Sequence, residues 1–261
     1  MSPETRLHVA LQPIVSLDSG RLVGAESVCR FPGMRPPRWP VAGGRRAGLG
    51  PALELAAASA AFDTGALLAP PTFLSVEVSP VIVSGPVLAG VLERSHLSPE
   101  RIVLALSGPV AVALARGLVR ALNPLRERGV RLALDASQVA DDSFSQLLAL
   151  RPDVIRFGRP LIAGVARDPA RRAVLVATNL LALEIGAKVV AADLEKPVAL
   201  ETVRSVGISY GQGCLLGHPT TDQTTWRSWQ LRQWSLLAPD APPAATGRPA
   251  PRRRAAGDAA P

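Results

Sequence analysis

The chain has 261 residues, 48% apolar and 19% charged, a composition that fits one large globular domain and excludes an intrinsically disordered chain. Its formal net charge is +8, and nearly all of the basic residues are arginines, with clusters in residues 30–46 and in the C-terminal tail. We therefore expect the charge to serve solubility, with no specific nucleic-acid partner. Cys29 and Cys214 are far apart, and no basic-then-apolar leader follows Met1, so a disulfide scaffold and a secretory signal are not expected and the predicted location is cytoplasmic.

The first two predicted elements are strands, over residues 8–15 and 21–30. The few residues between them cannot carry a parallel crossover, so the two strands should form an antiparallel hairpin. Residues 31–50 follow and are rich in proline, glycine and arginine, which predicts an open loop.

From residue 51 onward, segments with helical spacing alternate with short apolar runs. We expect helices over residues 51–61, 86–95, 110–128 (broken or kinked at Pro124), 144–150, 168–185 and 198–206, and strands over 73–79, 101–107, 130–134, 153–157, 188–192 and 208–212. Residues 73–92 approach the length of a membrane span, but Glu77, Pro80 and Pro86 favour a strand, a turn and a helix, so no transmembrane segment is expected.

Eight strands with this alternation predict an α/β protein, a closed (β/α)₈ TIM-like barrel whose first strand is antiparallel. An open doubly wound sheet is the alternative. Residues 220–237 contain Trp226, Trp229 and Trp234 at helical spacing and predict an additional helix packed on the barrel wall rather than a membrane-surface helix. The expected organisation is a barrel over 1–219, this helix over 220–237, and a disordered tail rich in proline, alanine and arginine over 238–261.

The strand at residues 130–134 ends on Asp135, and in βα barrels the chemistry lies at the carboxyl ends of the strands. Around this strand the chain carries, in order, LQPIVSLDSGRLVGAESVCRF, LSVEVSP, SPERIVLALS, the central GVRLALDA to RPDVIRFG segment, KVVAADLEK and SYGQGCLLGHP. Together these segments, from about residue 7 to residue 219, resemble an EAL domain. Active members of that family are bacterial phosphodiesterases that open cyclic di-GMP with a pair of divalent metal ions.

The resemblance also shows which ligand groups the chain lacks. The family's metal-ligand positions correspond here to Glu26, Glu77, Ala105, Asp135 and Ala136. Hard divalent cations need oxygen donors, and a two-metal site needs carboxylates between the ions, which the two alanines do not supply. We therefore expect no metal cofactor, although Glu26, Glu77 and Asp135 together could hold a single Mg²⁺ or Ca²⁺; drift of Glu77 after loss of catalysis is the simpler account.

The groups that would handle the attacking water differ as well. Arg156 stands for the family's lysine, Gly158 for its aspartate and Ala192 for a glutamate. A general base must titrate within hydrogen-bonding reach of water, and a methyl group at residue 192 cannot do so. We expect no useful hydrolysis, and the resemblance leaves only catalytic remnants, which are Glu26, Asp135, Arg156 and Glu195.

Several family positions near the cleft keep polar side chains that could bind a nucleotide, and these are Gln12, Glu26, Arg30, Asp135 and Gln212. The resemblance places the arginine near a ligand phosphate, which a guanidinium can bind with two hydrogen bonds, and the first glutamine near a guanine. The alternative is that the glutamine and arginine satisfy backbone groups at the barrel mouth and that the carboxylates pair with arginine.

Three hypotheses for the function follow. In the first, a catalytically degenerate EAL module binds cyclic di-GMP without hydrolysing it and reports to a protein partner. In the second, the barrel is only a protein-interaction module that uses the arginine-rich loop, the tryptophan helix or the tail. The third, kept as the alternative, is an active phosphodiesterase with remodelled ligands and Mg²⁺ or Mn²⁺. A homodimer is compatible with each, because active members of the family often dimerise through the barrel.

Overall fold

The computed structural model describes residues 7–30, 50–107, 112–136 and 143–234, with the backbone alone described at residues 30, 112–114 and 143–146. The loop expected over residues 31–50, apart from Gly50, and the disordered tail expected over 238–261 lie outside these ranges. Within them the chain forms a closed barrel of eight strands surrounded by helices. The prediction of a closed barrel is therefore confirmed, and the open doubly wound sheet is wrong.

The strands follow one another around the barrel in chain order. They are β1 (His8–Ser16), β2 (Leu22–Arg30), β3 (Phe73–Val78), β4 (Ile102–Leu106), β5 (Arg131–Asp135), β6 (Val154–Phe157), β7 (Lys188–Ala191) and β8 (Tyr210–Gln212). Strand β1 pairs antiparallel with both β2 and β8, and the other neighbours pair in parallel. The antiparallel first strand is thus confirmed, and it closes the barrel between β8 and β2.

The helices agree with the predicted pattern, with short additions after β3 and β6. They are α1 (Gly50–Gly65), α2 (Pro80–Val83), α3 (Val87–Glu93), α4 (Val112–Glu127), α5 (Ser143–Leu150), α6 (Arg159–Ile162), α7 (Pro169–Ile185), α8 (Pro197–Ser205) and α9 (Gln223–Leu231), with a 3₁₀ turn at Pro99–Arg101. The short α2, α6 and 3₁₀ segments were not predicted because they hold too few residues to show a helical period. The helix α4 continues without interruption through the exposed Pro124, so the expected break is wrong, and the kink given as the other possibility stays a prediction.

The C-terminal helix is shorter than the predicted 220–237. Asp222 caps it by accepting hydrogen bonds from the N–H groups of Thr224 and Thr225, at 3.0 and 3.2 Å. After Leu231 the chain turns extended, and the N–H of Trp234 donates to the carbonyl of Gly20 at 2.9 Å. This contact with the β1–β2 turn ends the helix.

The three tryptophans of this segment fix it to the barrel wall. Trp226, Trp229 and Trp234 are each 5% exposed or less. The indole N–H of Trp226 donates to the carbonyl of Thr220 at 3.0 Å, and that of Trp234 donates to the carbonyl of Leu216 at 2.7 Å. Among the described residues, no helix is long and apolar enough to cross a membrane.

The interior of the barrel is a small apolar cluster separate from the larger core between the strands and the helices. Its buried members are Ile14, Phe73, Val103, Ala105, Ala133, Val154 and Val190. These residues come from alternate positions of their strands, as the period of two requires. The barrel is therefore filled at mid-height, and the next inward-facing residue toward the carboxyl end of each parallel strand lies at the mouth.

Candidate functional site

The side chains at the mouth are set by this alternation. Asp135 on β5 and Arg156 on β6 each lie two residues after the member of the interior cluster on the same strand. Glu77 on β3 lies two residues after the inward-facing Ser75. Because β1 runs in the opposite direction, Gln12 precedes the interior Ile14 and reaches the same end of the barrel. The strand ends therefore bring together most of the residues predicted from the sequence.

The centre of the site is an ion pair between Arg156 on β6 and Glu26 on β2. The two terminal nitrogens of the guanidinium donate to the two carboxylate oxygens, Nη1 to Oε1 and Nη2 to Oε2, the latter at 3.0 Å. The side chains are 26% and 9% exposed, respectively, so water screens the pair only partly. A two-pronged pair of this kind is the strongest contact that a guanidinium makes with a carboxylate.

Two glutamines complete the network around the same carboxylate. The amide nitrogen of Gln212 donates to Oε2 of Glu26 at 2.6 Å and to the side-chain oxygen of Gln12 at 3.0 Å. Gln12 in turn donates to the carbonyl of Gly217 at 3.0 Å. The structure thus brings Gln12, Gln212 and Glu26 into contact, with their polar atoms bonded to one another and to the backbone.

The remaining carboxylates lie close enough to act on one another. The pKa of Glu77 is raised from 4.5 to about 7, first because the surrounding protein removes part of its hydration and then because of the negative charge of Glu26. Its side chain still reaches solvent. Burial alone would lower the pKa of Arg156, but the carboxylates of Glu26, Asp135 and Glu77 raise it above its ordinary value, so this guanidinium stays charged.

A second titratable group shares this environment. Cys29 on β2 is partly buried, and its pKa is raised from 9.0 to about 12 by desolvation and by the charge of Glu77. Its thiol donates to the carbonyl of Ala57 at 3.7 Å. The cysteine is therefore held as an unreactive thiol and not as a nucleophile.

The substituted positions contribute no ligand atoms. Ala105 lies in the interior cluster, Ala136 packs in the core between the strands and the helices, and Ala192 is 1% exposed. Both oxygens of Glu26 are hydrogen bonded to Arg156, and one also to Gln212. In this arrangement the described residues do not fit the pair of divalent ions that the resemblance implies.

The same result follows from the distribution of ligand types. Within the described ranges, no three or more His, Cys, Asp and Glu side chains are grouped so that they could hold a metal ion. In particular, Glu26, Glu77 and Asp135 surround a guanidinium in this structure, so they do not form an open set of oxygen ligands.

Two of the predicted site residues are not part of this network in the described structure. Glu195 lies on the exposed surface, where its carboxylate is 3.3 Å from the guanidinium of Arg159. The side chain of Arg30 lies outside the described part of the chain. Two residues before Glu195, Asp193 adopts φ 56° and accepts a hydrogen bond from the N–H of Arg159 at 2.9 Å.

One buried carboxylate was missed by sequence reasoning. Glu54 on α1 is 5% exposed and accepts hydrogen bonds from the N–H and the hydroxyl of Ser79, the latter at 2.7 Å. Since Ser79 directly follows β3, this contact fixes the strand end that carries Glu77. The available sign of a buried carboxylate was that Glu54 is the single glutamate in the alanine-rich segment PALELAAASAA. Helical propensity alone, however, does not indicate whether a residue is buried.

The comparisons with known sequences agree on one family. The family model of the EAL domain matches residues 3–219. The probable cyclic di-GMP phosphodiesterase PdeB of Escherichia coli strain K12 is 27% identical over 254 residues, which cover 88% of this chain and 48% of PdeB. The chain spans less than half the length of the curated relatives it matches.

Solved structures share the fold. The calcium and cyclic di-GMP complex of Klebsiella pneumoniae BlrP1 is 22% identical with a TM-score of 0.74, covering 84% of this chain and 58% of that one. The EAL domain of Xanthomonas citri FimX in complex with cyclic di-GMP is 16% identical with a TM-score of 0.74, covering 83% and 89%. At these identities the likeness establishes the fold alone.

Proposed function

Because the chain belongs to the EAL domain family, we propose that it is a non-hydrolysing regulatory module of cyclic di-GMP signalling. The observation that carries the proposal is the pairing of Arg156 with Glu26. Both oxygens of Glu26 accept from this guanidinium and Oε2 also accepts from Gln212, so most of the roughly four lone-pair sites of the carboxylate are taken, which disfavours its use as a metal ligand.

The chemistry of the neighbouring positions supports the same proposal. A metal-assisted hydrolysis needs oxygen ligands to hold the ions and a group that activates water. The side chains of Ala105, Ala136 and Ala192 are methyl groups, and Gly158 has none. Loss of both kinds of group at once removes the route by which an EAL phosphodiesterase would open its substrate.

The net charge of the mouth affects whether a nucleotide or a protein partner is the better candidate ligand. Glu26, Asp135 and the partly ionised Glu77 face one guanidinium, so the described mouth carries net negative charge at neutral pH. A cyclic dinucleotide has two negatively charged phosphodiesters and would be repelled by this mouth unless groups elsewhere compensate. Among the described residues, the charge of the mouth therefore favours action through a protein partner over action as a nucleotide receptor.

A specific surface also favours a protein partner. Val176, Leu180 and Leu183 lie at helical spacing on α7 and are 43%, 58% and 65% exposed. Apolar side chains in such a row are typical of a helix face that packs against another protein. The receptor mode stays the second candidate, since Gln12 and Gln212 stand at the mouth and the solved relatives named above are complexes with cyclic di-GMP.

The test is titration calorimetry of the protein with cyclic di-GMP, in Mg²⁺ and then in EDTA, with the nucleotide recovered and checked for cleavage. We expect intact nucleotide in both buffers. Saturable binding of intact nucleotide would identify the receptor mode, and no heat would leave the protein-partner mode. Metal-dependent opening that is lost in Asp135→Ala but kept in Asp63→Ala, a change at an exposed position of α1, would refute the proposal.

Cytoplasmic location stays a prediction alongside this function.

A further inference from the structure

We propose that Arg156 is the resident cation of the barrel mouth, and that its guanidinium offsets part of the negative charge of Glu26, Asp135 and Glu77 in the role that a metal ion would otherwise have. The inference deepens the proposed function, because a mouth that is complete without metal is what a non-hydrolysing module requires. It makes a separate claim, however, about why the mouth is stable.

In the closed barrel β2 and β6 are four strands apart, so they lie on opposite sides of the mouth. The ion pair between Arg156 and Glu26 therefore crosses the full opening and does not join neighbouring strands. A cation that bridges opposite walls occupies the middle of the mouth, where it is close to several carboxylates at once.

Asp135 lies directly opposite Arg156 in the β5–β6 register, and Glu77 projects from β3, next to the β2 strand that carries Glu26. Three acidic side chains from three strands thus surround one guanidinium. Because like charges in a partly buried site repel strongly, a cation among them lowers the free-energy cost of ionising the carboxylates.

The guanidinium of Arg156 is held by the carboxylate of Glu26. Both terminal nitrogens bond to Glu26, whereas Nε of Arg156 is buried without a hydrogen-bond partner in the described part of the chain. A side chain that leaves a buried donor unmatched is placed by its strongest contact, which here is with the carboxylate. Lysine has a single ammonium and could not bond to both oxygens in this planar geometry.

The inference predicts how divalent cations act on the protein. Mg²⁺ or Mn²⁺ at millimolar concentration should leave the melting temperature of the wild type unchanged relative to EDTA, since Glu26 is already paired. In Arg156→Met the three carboxylates lose their counter-charge, and the melting temperature in EDTA should fall by about 10 °C. The three carboxylates are not grouped for a metal ion in the described structure, but they can move together once the guanidinium is gone. Mn²⁺ should then restore at least half of this loss, about 5–10 °C, at concentrations roughly a hundredfold above its dissociation constant.

The matched control is Arg159→Met, which removes an arginine from a more exposed ion pair, with Glu195. We expect this variant to melt close to the wild type and to show no response to Mn²⁺. Arg156→Lys should keep the insensitivity to Mn²⁺, because the positive charge remains. An Arg156→Met protein that responds to Mn²⁺ no more than Arg159→Met would overturn the inference.

A double variant covers the case in which Arg156→Met does not fold. Arg156→Met with Glu26→Gln removes the cation and its main partner together, so it should melt higher than Arg156→Met and lose the Mn²⁺ response. If this double variant is no more stable than Arg156→Met, the guanidinium is not acting as a counter-charge and the inference fails. Wild-type protein that binds Mn²⁺ at micromolar concentration, measured by calorimetry, would also overturn it.

These outcomes are independent of the test of the proposed function. The melting experiments contain no nucleotide, so a failed counter-charge prediction leaves the hydrolysis assay to decide the function. Conversely, cleavage of cyclic di-GMP by the wild type would refute the proposed function whether or not Arg156→Met responds to Mn²⁺.

Discussion

Substitution of Glu77 by glutamine should make the protein more stable at alkaline pH and have little effect at acidic pH. The side chain projects from β3 into the mouth, and its pKa is raised to about 7. The titratable or charged groups that act on it or on its neighbours are Glu26, Arg156, Asp135, Glu54 and Cys29. Glutamine keeps the size of the side chain and removes the charge.

The sign follows from proton binding. A carboxyl with a pKa of 4.5 in the unfolded chain and about 7 in the folded protein binds more protons when folded between those values. The free energy of unfolding therefore decreases as pH rises from about 4.5 through 7, and the loss is complete above that range. At about 1.4 kcal/mol per pKa unit the upper limit is about 3 kcal/mol, and because the side chain reaches solvent we expect about 1 kcal/mol.

The assay is urea unfolding of the wild type and Glu77→Gln at pH 5 and pH 8. Glu77→Gln should be more stable by about 1 kcal/mol at pH 8, a rise in melting temperature of about 2–4 °C, and nearly equal to the wild type at pH 5. Glu201→Gln, an exposed change on α8, is the matched control and should show no such pH dependence. A Glu77→Gln protein that is less stable than the wild type at pH 8 would refute the reasoning.

Three further changes test other parts of the structure. Gly213→Ala should destabilise the protein by about 2 kcal/mol or more, because φ is 150° and the new Cβ would lie 2.3 Å from the backbone of Leu194. In the control Gly117→Ala on α4, the new Cβ meets nothing within 4 Å, so this variant should be as stable as the wild type or more stable. Chemical denaturation measures both. Trp234→Phe should lower the free energy of unfolding by about 1–3 kcal/mol, because the carbonyl of Leu216 loses its hydrogen-bond donor. Leu231→Ala, at a 90% exposed position, is the control and should change it by less than about 0.5 kcal/mol. In the native protein a thiol reagent should label the exposed Cys214 and not Cys29, whose pKa is about 12, and mass spectrometry showing equal labelling would contradict this.

The barrel could be predicted because each step of the pattern has a local cause. The short link between the first two strands permits only an antiparallel pair, and the later strands are separated by helices long enough for parallel crossovers. The end of α7 could also be read directly, since Gly186 takes φ 75° and closes the helix. In each case the deciding residues are close together in the sequence.

The ion pair at the mouth could not be predicted in the same way. Arg156 and Glu26 are 130 residues apart, and their contact depends on the width of the closed barrel, which no local pattern encodes. The same holds for Glu54, whose partner Ser79 is 25 residues away and on another element. Sequence reasoning identified most of the side chains at the mouth and included pairing of the carboxylates with arginine as an alternative, but it did not identify Arg156 as the partner of Glu26.

The pairing also suggests why one side of the mouth keeps its polar residues. Gln12, Glu26 and Gln212 lie on β1, β2 and β8, the three strands at which the antiparallel β1 closes the barrel. Their hydrogen bonds join all three strands across this closure. By contrast, β4 carries Ala105, and Ala192 directly follows β7. The polar side is therefore explained by closure of the barrel, without a requirement for catalysis.

Restoring a single family-type carboxylate should not restore a metal site. In Ala105→Glu a carboxylate is added to β4 opposite Glu77 in register, and the family's pattern has a glutamate there. Because Arg156 still holds both oxygens of Glu26, the new charge meets repulsion and no shared metal ion, so this variant should melt below Ala105→Gln, which has the same shape without the charge. Melting curves in EDTA and in Mn²⁺ decide the matter: stabilisation of Ala105→Glu by Mn²⁺ beyond that of Ala105→Gln would show that one carboxylate suffices to displace Arg156.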